Sequence, residues 1–237
     1  MKILISGICG HMGRELAKLA LSGFRGAELI CGVDRTFDGS LAVPCYTSFD
    51  DVKDNVDCII DFSNHALTSE LTAYAVKKRI PLIIATTGQT EEEKKLIYEA
   101  SRQIPLFFAA NYSLGIALLI GFAKKLAVMM PTAEIEIIEK HHNRKIDAPS
   151  GTAIAIADAI CSVRPEMTKN PGRSGYGKRS PNEIGIHSLR LTNVVGEHEV
   201  IVATENETIT LKHEAHDRKL FAEGALAAAE FICALPS

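Results

Sequence analysis

The sequence of 237 residues lacks several features that would assign it to other classes of protein. None of its six cysteines stands at metal-ligand spacing from another, and their apolar neighbours predict reduced, buried thiols. The longest strongly apolar stretch, residues 115–123, is too short to cross a bilayer. The run after the initial methionine is too short for the core of a signal peptide. We therefore expect a cytoplasmic protein without a bound metal.

The net charge of the chain is small. A net charge of −3 argues against a general affinity for nucleic acid. The composition, 46% hydrophobic and 23% charged, is that of a soluble globular protein, and the length permits one large domain or two small ones. The sequence contains no internal repeat.

The first 110 residues alternate short apolar runs with helical patterns, which predicts a parallel, doubly wound sheet. Thr90 and Glu93 form the sequence pattern of a capping box at the start of a helix. The predicted strands are residues 2–6, 27–33, 57–61, 82–86 and 106–109, and the predicted helices are residues 11–22, 66–78 and 91–102.

The pattern changes after Asn111. A long apolar helix is predicted at 114–129, a half-exposed strand at 134–139, a helix at 153–163 and a loop at 165–181. Three further strands, at 184–191, 197–203 and 208–214, predict an open sheet that is mixed or antiparallel. An alanine-rich helix at 217–234 follows. The fold class is thus α/β, with a Rossmann-like domain and an α+β domain.

A glycine-rich turn, Gly7-Ile8-Cys9-Gly10-His11-Met12-Gly13, follows the first strand. Such a turn can hold a pyrophosphate on backbone N–H groups, although the GxxGxxG spacing is also that of a plain tight turn. Asp34 ends the second predicted strand, where an acid binds ribose hydroxyls, and Arg35 beside it suits a 2′-phosphate. NADH and NADPH are both expected as cofactors.

Ligands of a parallel sheet bind outside the carboxyl ends of its strands. Two loops that follow predicted strands at that edge are therefore predicted to lie beside the nicotinamide. They are Ala85-Thr86-Thr87-Gly88 and Ala109-Ala110-Asn111-Tyr112-Ser113.

A basic cluster marks the second half. Two histidines, an arginine and two lysines fall within residues 140–145, shortly before Ser150-Gly151-Thr152 opens a helix. Cations and a helix N-terminus hold small anions, and His and Lys transfer protons. The alternative is a solvated basic loop.

Other basic residues give less specific patterns. A loop contains Arg173, Lys178 and Arg179, which suit either an anion or solvent. No two of four further histidines stand at metal-ligand spacing: His187, His198, His213 and His216.

The whole chain resembles the 4-hydroxy-tetrahydrodipicolinate reductase (dihydrodipicolinate reductase) family of lysine biosynthesis. Residues 139–152, EKHHNRKIDAPSGT, match the motif E-x-H-H-x-x-K-x-D-x-P-S-G-T of that family. Residues 183–187, 196–198, 213–218 and 221–225 also match in order.

The resemblance implies NADH- or NADPH-dependent reduction of a cyclic dicarboxylate, with no nucleic acid or membrane partner. It implies a dinucleotide-binding domain of residues 1–112 with 218–237. A domain of residues 113–217 would bind substrate and form a homotetramer. The implied catalytic residues are His141 and Lys145, and the implied substrate-binding residues are His142, Gly151 and Thr152. The implied cofactor-binding residues are Gly7, Ile8, Cys9, Gly10, His11, Met12, Asp34, Arg35, Ala85, Thr86, Thr87, Ala110, Asn111, Tyr112 and Ser113.

Two positions depart from the family pattern: His11 stands where arginine is common, and Ala85 where glycine is common. Both leave the cofactor preference open. Two other functions remain as alternatives. A semialdehyde dehydrogenase would require a reactive cysteine, and Cys161 in a predicted helix lacks an activating partner. A nucleotide-sensing protein would have no need of the basic cluster.

Overall fold

The computed structural model describes residues 1–37 and 42–235 and divides the chain into two compact units. The first comprises Met1–Tyr112 and Lys219–Ser237, and the second comprises Ser113–Arg218. Residues 236 and 237, which the predicted first domain includes, lie outside the described residues. Each unit has its own apolar core.

A six-stranded parallel sheet forms the centre of the first unit, with the strand order β3-β2-β1-β4-β5-β6. The predicted doubly wound sheet is confirmed. The central strands are fully buried because helices cover both faces, which explains their continuous apolar runs. Among the described strands of this unit, only the two-residue strand β3 has no counterpart in the sequence prediction. The strands are β1 (Lys2–Ser6), β2 (Glu28–Val33), β3 (Cys45–Tyr46), β4 (Cys58–Asp61), β5 (Leu82–Ile84) and β6 (Leu106–Phe108).

The helices of the first unit are α1 (His11–Leu21), α2 (Thr68–Lys78), α3 (Glu91–Ser101) and α6 (Lys219–Cys233). Thr90 and Glu93 form the predicted capping box at the start of α3. The final helix α6 packs its small side chains into the same core as α1 and β1. Gly224 is required there, since a Cβ atom would lie 1.7 Å from the carbonyl oxygen of Tyr112.

The second unit contains a five-stranded mixed sheet with the order β11-β10-β7-β9-β8. The predicted open sheet is confirmed, but the prediction of a loop over residues 165–181 is wrong in part because β8 lies within it. This strand is exposed and lacks apolar alternation, so its sequence carries no strand signal. The strands are β7 (Glu134–His141), β8 (Thr168–Pro171), β9 (Glu183–Arg190), β10 (Gly196–Ala203) and β11 (Thr208–Ala215).

Strand β7 has an antiparallel neighbour, β10, and a parallel neighbour, β9. The parallel pairing follows from the crossover that contains helix α5 (Gly151–Cys161). Helix α5 and the long helix α4 (Leu114–Met129) cover one face of the sheet. Ile135 and Ile137 of β7 are buried on that face. The same alternation continues to Glu139 and His141, so the apolar core ends in buried polar residues.

Candidate active site

The glycine-rich turn of the first unit is built for close backbone approach. Gly7 has a φ of +77°, and a Cβ atom there would lie 2.7 Å from the carbonyl oxygen of Phe62. A Cβ atom on Gly13 would lie 2.1 Å from the carbonyl oxygen of Gly7. Gly10 caps α1 without a side chain, which leaves the N-terminal end of that helix open to an anion. These features fit a dinucleotide cofactor.

A cavity of about 350 Å³ opens beside this turn and is lined in part by Gly7, Gly10 and Asp34. Asp34 accepts hydrogen bonds from the N–H of Cys9 at 2.9 Å and from the N–H and hydroxyl of Thr36. Burial alone would raise the pKa of Asp34, but these hydrogen bonds outweigh it and hold the pKa below its usual value. The turn thus carries an ionised acid at its base.

The structure assigns different surroundings to the other predicted cofactor residues. Ile8 is fully buried in the core and Tyr112 is 8% exposed. Tyr112 directs its hydroxyl to the carbonyl oxygens of Ile84 and Phe107, at 2.9 and 3.0 Å. Both side chains are therefore engaged within the first unit. His11, Thr87 and Ala110 are exposed, and Met12, Ala85 and Asn111 are half-buried.

Asp61 is a buried carboxyl that the sequence prediction missed. It ends β4, accepts a 2.5 Å hydrogen bond from the hydroxyl of Ser63, and is 2% exposed. Burial raises its pKa, against the opposing effect of hydroxyls that include those of Thr86 and Ser6. The end of a central parallel strand was a signal for such a residue.

In the second unit, His141 is oriented by a buried carboxylate. Its Nδ1 atom lies 2.5 Å from Oε2 of Glu139, which is fully buried. Burial would raise the pKa of Glu139, but hydrogen bonds from His141 and Arg190 hold it well below its usual value. An ionised carboxylate only accepts, so Nδ1 carries the proton. Nε2 is thus left available, and a Cβ atom on Gly196 would lie 3.1 Å from it.

Glu139 is also the centre of a wider network. Arg190 donates to both of its oxygens, at 2.8 and 2.9 Å, and donates to the carbonyl oxygen of Asp147. The N–H of Ser150 donates to Glu139 at 3.1 Å. The hydroxyl of Ser150 caps α5 and lies 3.0 Å from Nε2 of His198. Glu139 therefore ties the turn of residues 142–149 and the start of α5 to the sheet.

His198 on β10 lies opposite Glu139 of β7 and contacts the His141 ring edge-on, at 5.2 Å between centroids. Burial and the nearby His141 lower its pKa to about 3, so it is neutral at physiological pH. Sequence reasoning missed Glu139, Arg190 and His198 as a group because their contacts depend on the register between strands. The inward alternation of β7 was the available signal.

The predicted substrate-binding residues lie on the same turn and on α5. Nδ1 of His142 is buried without a hydrogen-bond partner within the described chain. Burial, and then nearby cations such as Arg144, lower its pKa. Nζ of Lys145 lies 2.8 Å from Oδ1 of Asp147. Gly151 and Thr152 form the first turn of α5. The turn thus supplies a cation, a neutral imidazole and a helix N-terminus.

Other basic residues are engaged elsewhere. Arg179 donates to Glu136 at 2.9 Å and to the carbonyl oxygens of Ile135 and Glu183. His187 lies 2.9 Å from the same Glu136 carboxylate. Within residues 1–37 and 42–235, no group of three or more His, Cys, Asp and Glu side chains is placed to hold a metal ion. In the same residues, no helix has the length and apolarity of a membrane span.

Comparison with known proteins gives a consistent result for both units. The family model described as "Dihydrodipicolinate reductase, N-terminus" matches residues 1–112, and that described as "Dihydrodipicolinate reductase, C-terminus" matches residues 115–236. The chain belongs to the dihydrodipicolinate reductase family. The predicted family, enzyme class and nicotinamide cofactor are thereby confirmed.

Individual relatives agree. The 4-hydroxy-tetrahydrodipicolinate reductase of Caldanaerobacter subterraneus subsp. tengcongensis is 47% identical, over 98% of this chain and 92% of that protein. The reductase of Clostridium novyi is 40% identical with the same coverage. A dipicolinate-bound dihydrodipicolinate reductase from Paenisporosarcina sp. TG-14 superposes with a TM-score of 0.82 at 26% identity. That comparison covers 98% of this chain and 94% of the other.

Family membership removes the two alternatives. Cys161, which a semialdehyde dehydrogenase would use, directs its thiol to the carbonyl oxygen of Met167 at 3.6 Å. Burial raises the pKa of this thiol, which disfavours the nucleophilic thiolate.

Proposed function

We propose that this dihydrodipicolinate reductase reduces 4-hydroxy-tetrahydrodipicolinate to tetrahydrodipicolinate with NADH or NADPH, releasing water, in the diaminopimelate and lysine pathway. The observation that carries the proposal is a histidine at the end of β7 that a buried carboxylate orients. The turn that follows it presents a lysine and leads to a helix N-terminus. This arrangement suits a dicarboxylate that must be held and protonated.

The first unit contains the dinucleotide site. Gly7, Gly10 and the start of α1 would hold the pyrophosphate, and Asp34 would accept from the adenosine ribose hydroxyls. We assign the remaining backbone and loop contacts to the residues expected from the sequence. These are Ile8, Cys9, His11, Met12, Arg35, Ala85, Thr86, Thr87, Ala110, Asn111, Tyr112 and Ser113. When bound, the nicotinamide supplies the hydride.

The second unit supplies the proton. Hydride addition to a conjugated imine leaves electron density on a neighbouring atom, and a proton must reach that atom. Glu139 holds the proton of His141 on Nδ1 and leaves Nε2 to exchange a proton with the substrate. Lys145 is a second proton donor. Its 2.8 Å pair with Asp147 keeps the ammonium near the turn until a substrate carboxylate competes for it.

Substrate binding is assigned to His142, Gly151 and Thr152. Gly151 and Thr152 begin α5, where the helix dipole favours one carboxylate, and nothing in the described chain lies within 4 Å of a Cβ atom built on Gly151. The buried Nδ1 of His142 is a further polar group that a bound ligand can satisfy. Ser150 and Glu139 fix the start of α5 against β7, which preorganises this subsite.

We also propose a cytoplasmic homotetramer assembled through the sheet of the second unit. On the face opposite the helices, Ile138 and Ile201 are only half-buried and Leu189 is 38% exposed. Apolar side chains on an open sheet face favour burial against a second copy. Sedimentation should give a mass of four chains, and Ile201→Lys should shift it to smaller species. A monomeric wild-type protein would contradict the assembly.

The function is tested by following NADH and NADPH oxidation separately, with substrate generated by its synthase. Oxidation should require substrate and should yield tetrahydrodipicolinate, identified by mass. If neither coenzyme is oxidised while both bind, the proposed reaction is wrong.

A further inference from the structure

The cavity beside the glycine-rich turn contains an unequal set of charges. Its lining includes two carboxylates, Asp34 and Glu70, and a single guanidinium, that of Arg35; its other lining residues are uncharged. The two acids come from different elements: Asp34 follows β2, and Glu70 lies in the first turn of α2. The cavity is therefore net negative among the residues that the structure describes.

Arg35 is directed to Glu70. One terminal nitrogen of Arg35 donates to Oε1 of Glu70 at 3.1 Å, while Asp34 takes its hydrogen bonds from Cys9 and Thr36. Both side chains of the pair are well exposed, 64% for Arg35 and 58% for Glu70, so a ligand can reach them. The cation that suits a 2′-phosphate is thus held by a neighbouring carboxylate.

The two coenzymes would meet this set of charges differently. The ribose hydroxyls of NADH can donate to a carboxylate. The 2′-phosphate of NADPH carries about −1.5 to −2 charges at pH 7 and only accepts. A phosphate bound there would lie close to two carboxylates and would compete with Glu70 for the Arg35 guanidinium. Both effects oppose NADPH and neither opposes NADH.

We propose that Glu70 is a specificity-determining residue that favours NADH over NADPH by engaging Arg35. The proposal rests on the proposed function only in assigning this cavity to the adenosine end of the cofactor. It resolves the coenzyme preference that the sequence leaves open, and it assigns that preference to a residue outside the glycine-rich turn and β2.

The test compares Glu70→Gln with a matched control. Arg25 and Glu230 form a similar exposed pair in the same unit, at 2.7 Å and with 43% and 54% exposed side chains. Dissociation constants for NADH and NADPH are measured by quenching or enhancement of coenzyme fluorescence, without substrate, for wild type, Glu70→Gln and Glu230→Gln. Wild type should bind NADH more tightly. Glu70→Gln should raise relative NADPH affinity about two- to fivefold, the range expected for an exposed ion pair, and Glu230→Gln should leave the ratio unchanged.

A double-mutant cycle with Arg35→Ala shows whether Glu70 affects NADPH binding through Arg35 or independently of it. If Glu70 acts through Arg35, the gain from Glu70→Gln should largely disappear in the Arg35→Ala background. An equal gain in both backgrounds would overturn that route, and an unchanged ratio in Glu70→Gln would overturn the proposal. Because these measurements need no substrate, they are independent of the reaction. Failure of wild type to turn over substrate, with coenzyme binding intact, would instead contradict the proposed function.

Discussion

Nδ1 of His141 lies 2.5 Å from the carboxylate of Glu139, two residues earlier on the buried face of the same strand. Alternation along β7 places both side chains on one face, and the register with β9 and β10 surrounds the carboxylate with Arg190 and His198. The strand that builds the core thus also fixes the tautomer of the proposed catalytic histidine.

The first prediction concerns this pair. Glu139→Gln removes the carboxylate that fixes the proton of His141 on Nδ1, so kcat should fall by about 10²-fold or more, the scale of lost acid–base catalysis. NADH affinity, measured by fluorescence, should change by less than about twofold. Glu205→Gln, in the exposed β10–β11 turn, is the control. Near-normal turnover in a folded Glu139→Gln variant would remove Glu139 from the mechanism.

The second prediction uses Gly196. An added Cβ atom would lie 3.1 Å from Nε2 of His141, which is tighter than ordinary contact. Gly196→Ala should therefore crowd Nε2, the nitrogen proposed to exchange a proton with the substrate, and lower kcat by about tenfold or more. Gly121→Ala in α4, where nothing lies within 4 Å of the added atom, should keep full activity. Equal activity of the two variants would show that Nε2 is not used.

The third prediction concerns Lys145. Lys145→Ala should depress kcat/KM strongly, because it removes both a proton donor and a cation, while NADH affinity stays nearly constant. Lys169, which pairs with Asp158 at 2.5 Å in the same unit, gives a matched Lys169→Ala control. If Lys145→Ala lost NADH binding to a similar extent, the assignment of this lysine to the substrate site would be wrong.

The sequence predicted the alternation of strands and helices in the first unit because burial on both faces leaves long apolar runs. It also predicted the half-exposed strand β7. It failed for β8, whose Thr168 and Lys169 are exposed and whose only strong signal is backbone pairing with β9.

In the proposed site, too, some residues could be predicted from the sequence and others could not. His141 and Lys145 lie in one contiguous motif, and the resemblance of that motif to the family pattern implied their proposed roles. Arg190 and His198 reach Glu139 from two other strands, and only the register brings them together. Single-sequence patterns do not specify register between distant strands, so these partners required the structure.

The fourth prediction is a pH dependence of stability. The pKa of His198 is lowered from 6.5 to about 3 in the folded state, so the unfolded state binds a proton first as pH falls. The stabilisation is complete above pH 6.5 and is lost progressively as pH falls from 6.5 toward 3, by about 1.4 kcal/mol per pH unit.

Urea unfolding of wild type and His198→Gln at several pH values measures this effect. The difference in free energy of unfolding between the two proteins should shrink toward acid pH, because only wild type carries the His198 contribution. His11→Gln, at an exposed position, should follow the wild-type curve. A difference between wild type and His198→Gln that is constant with pH would contradict a neutral, buried His198.

The most direct test of the account follows the transferred atoms in a single turnover. The two C4-deuterated diastereomers of NADH are each mixed with enzyme and substrate, and tetrahydrodipicolinate is analysed by mass. We predict that one diastereomer transfers deuterium to the product and the other does not, and that His141→Ala slows this transfer while NADH remains bound. Product without deuterium from either diastereomer, or undiminished transfer in His141→Ala, would contradict hydride reduction completed by a proton from His141.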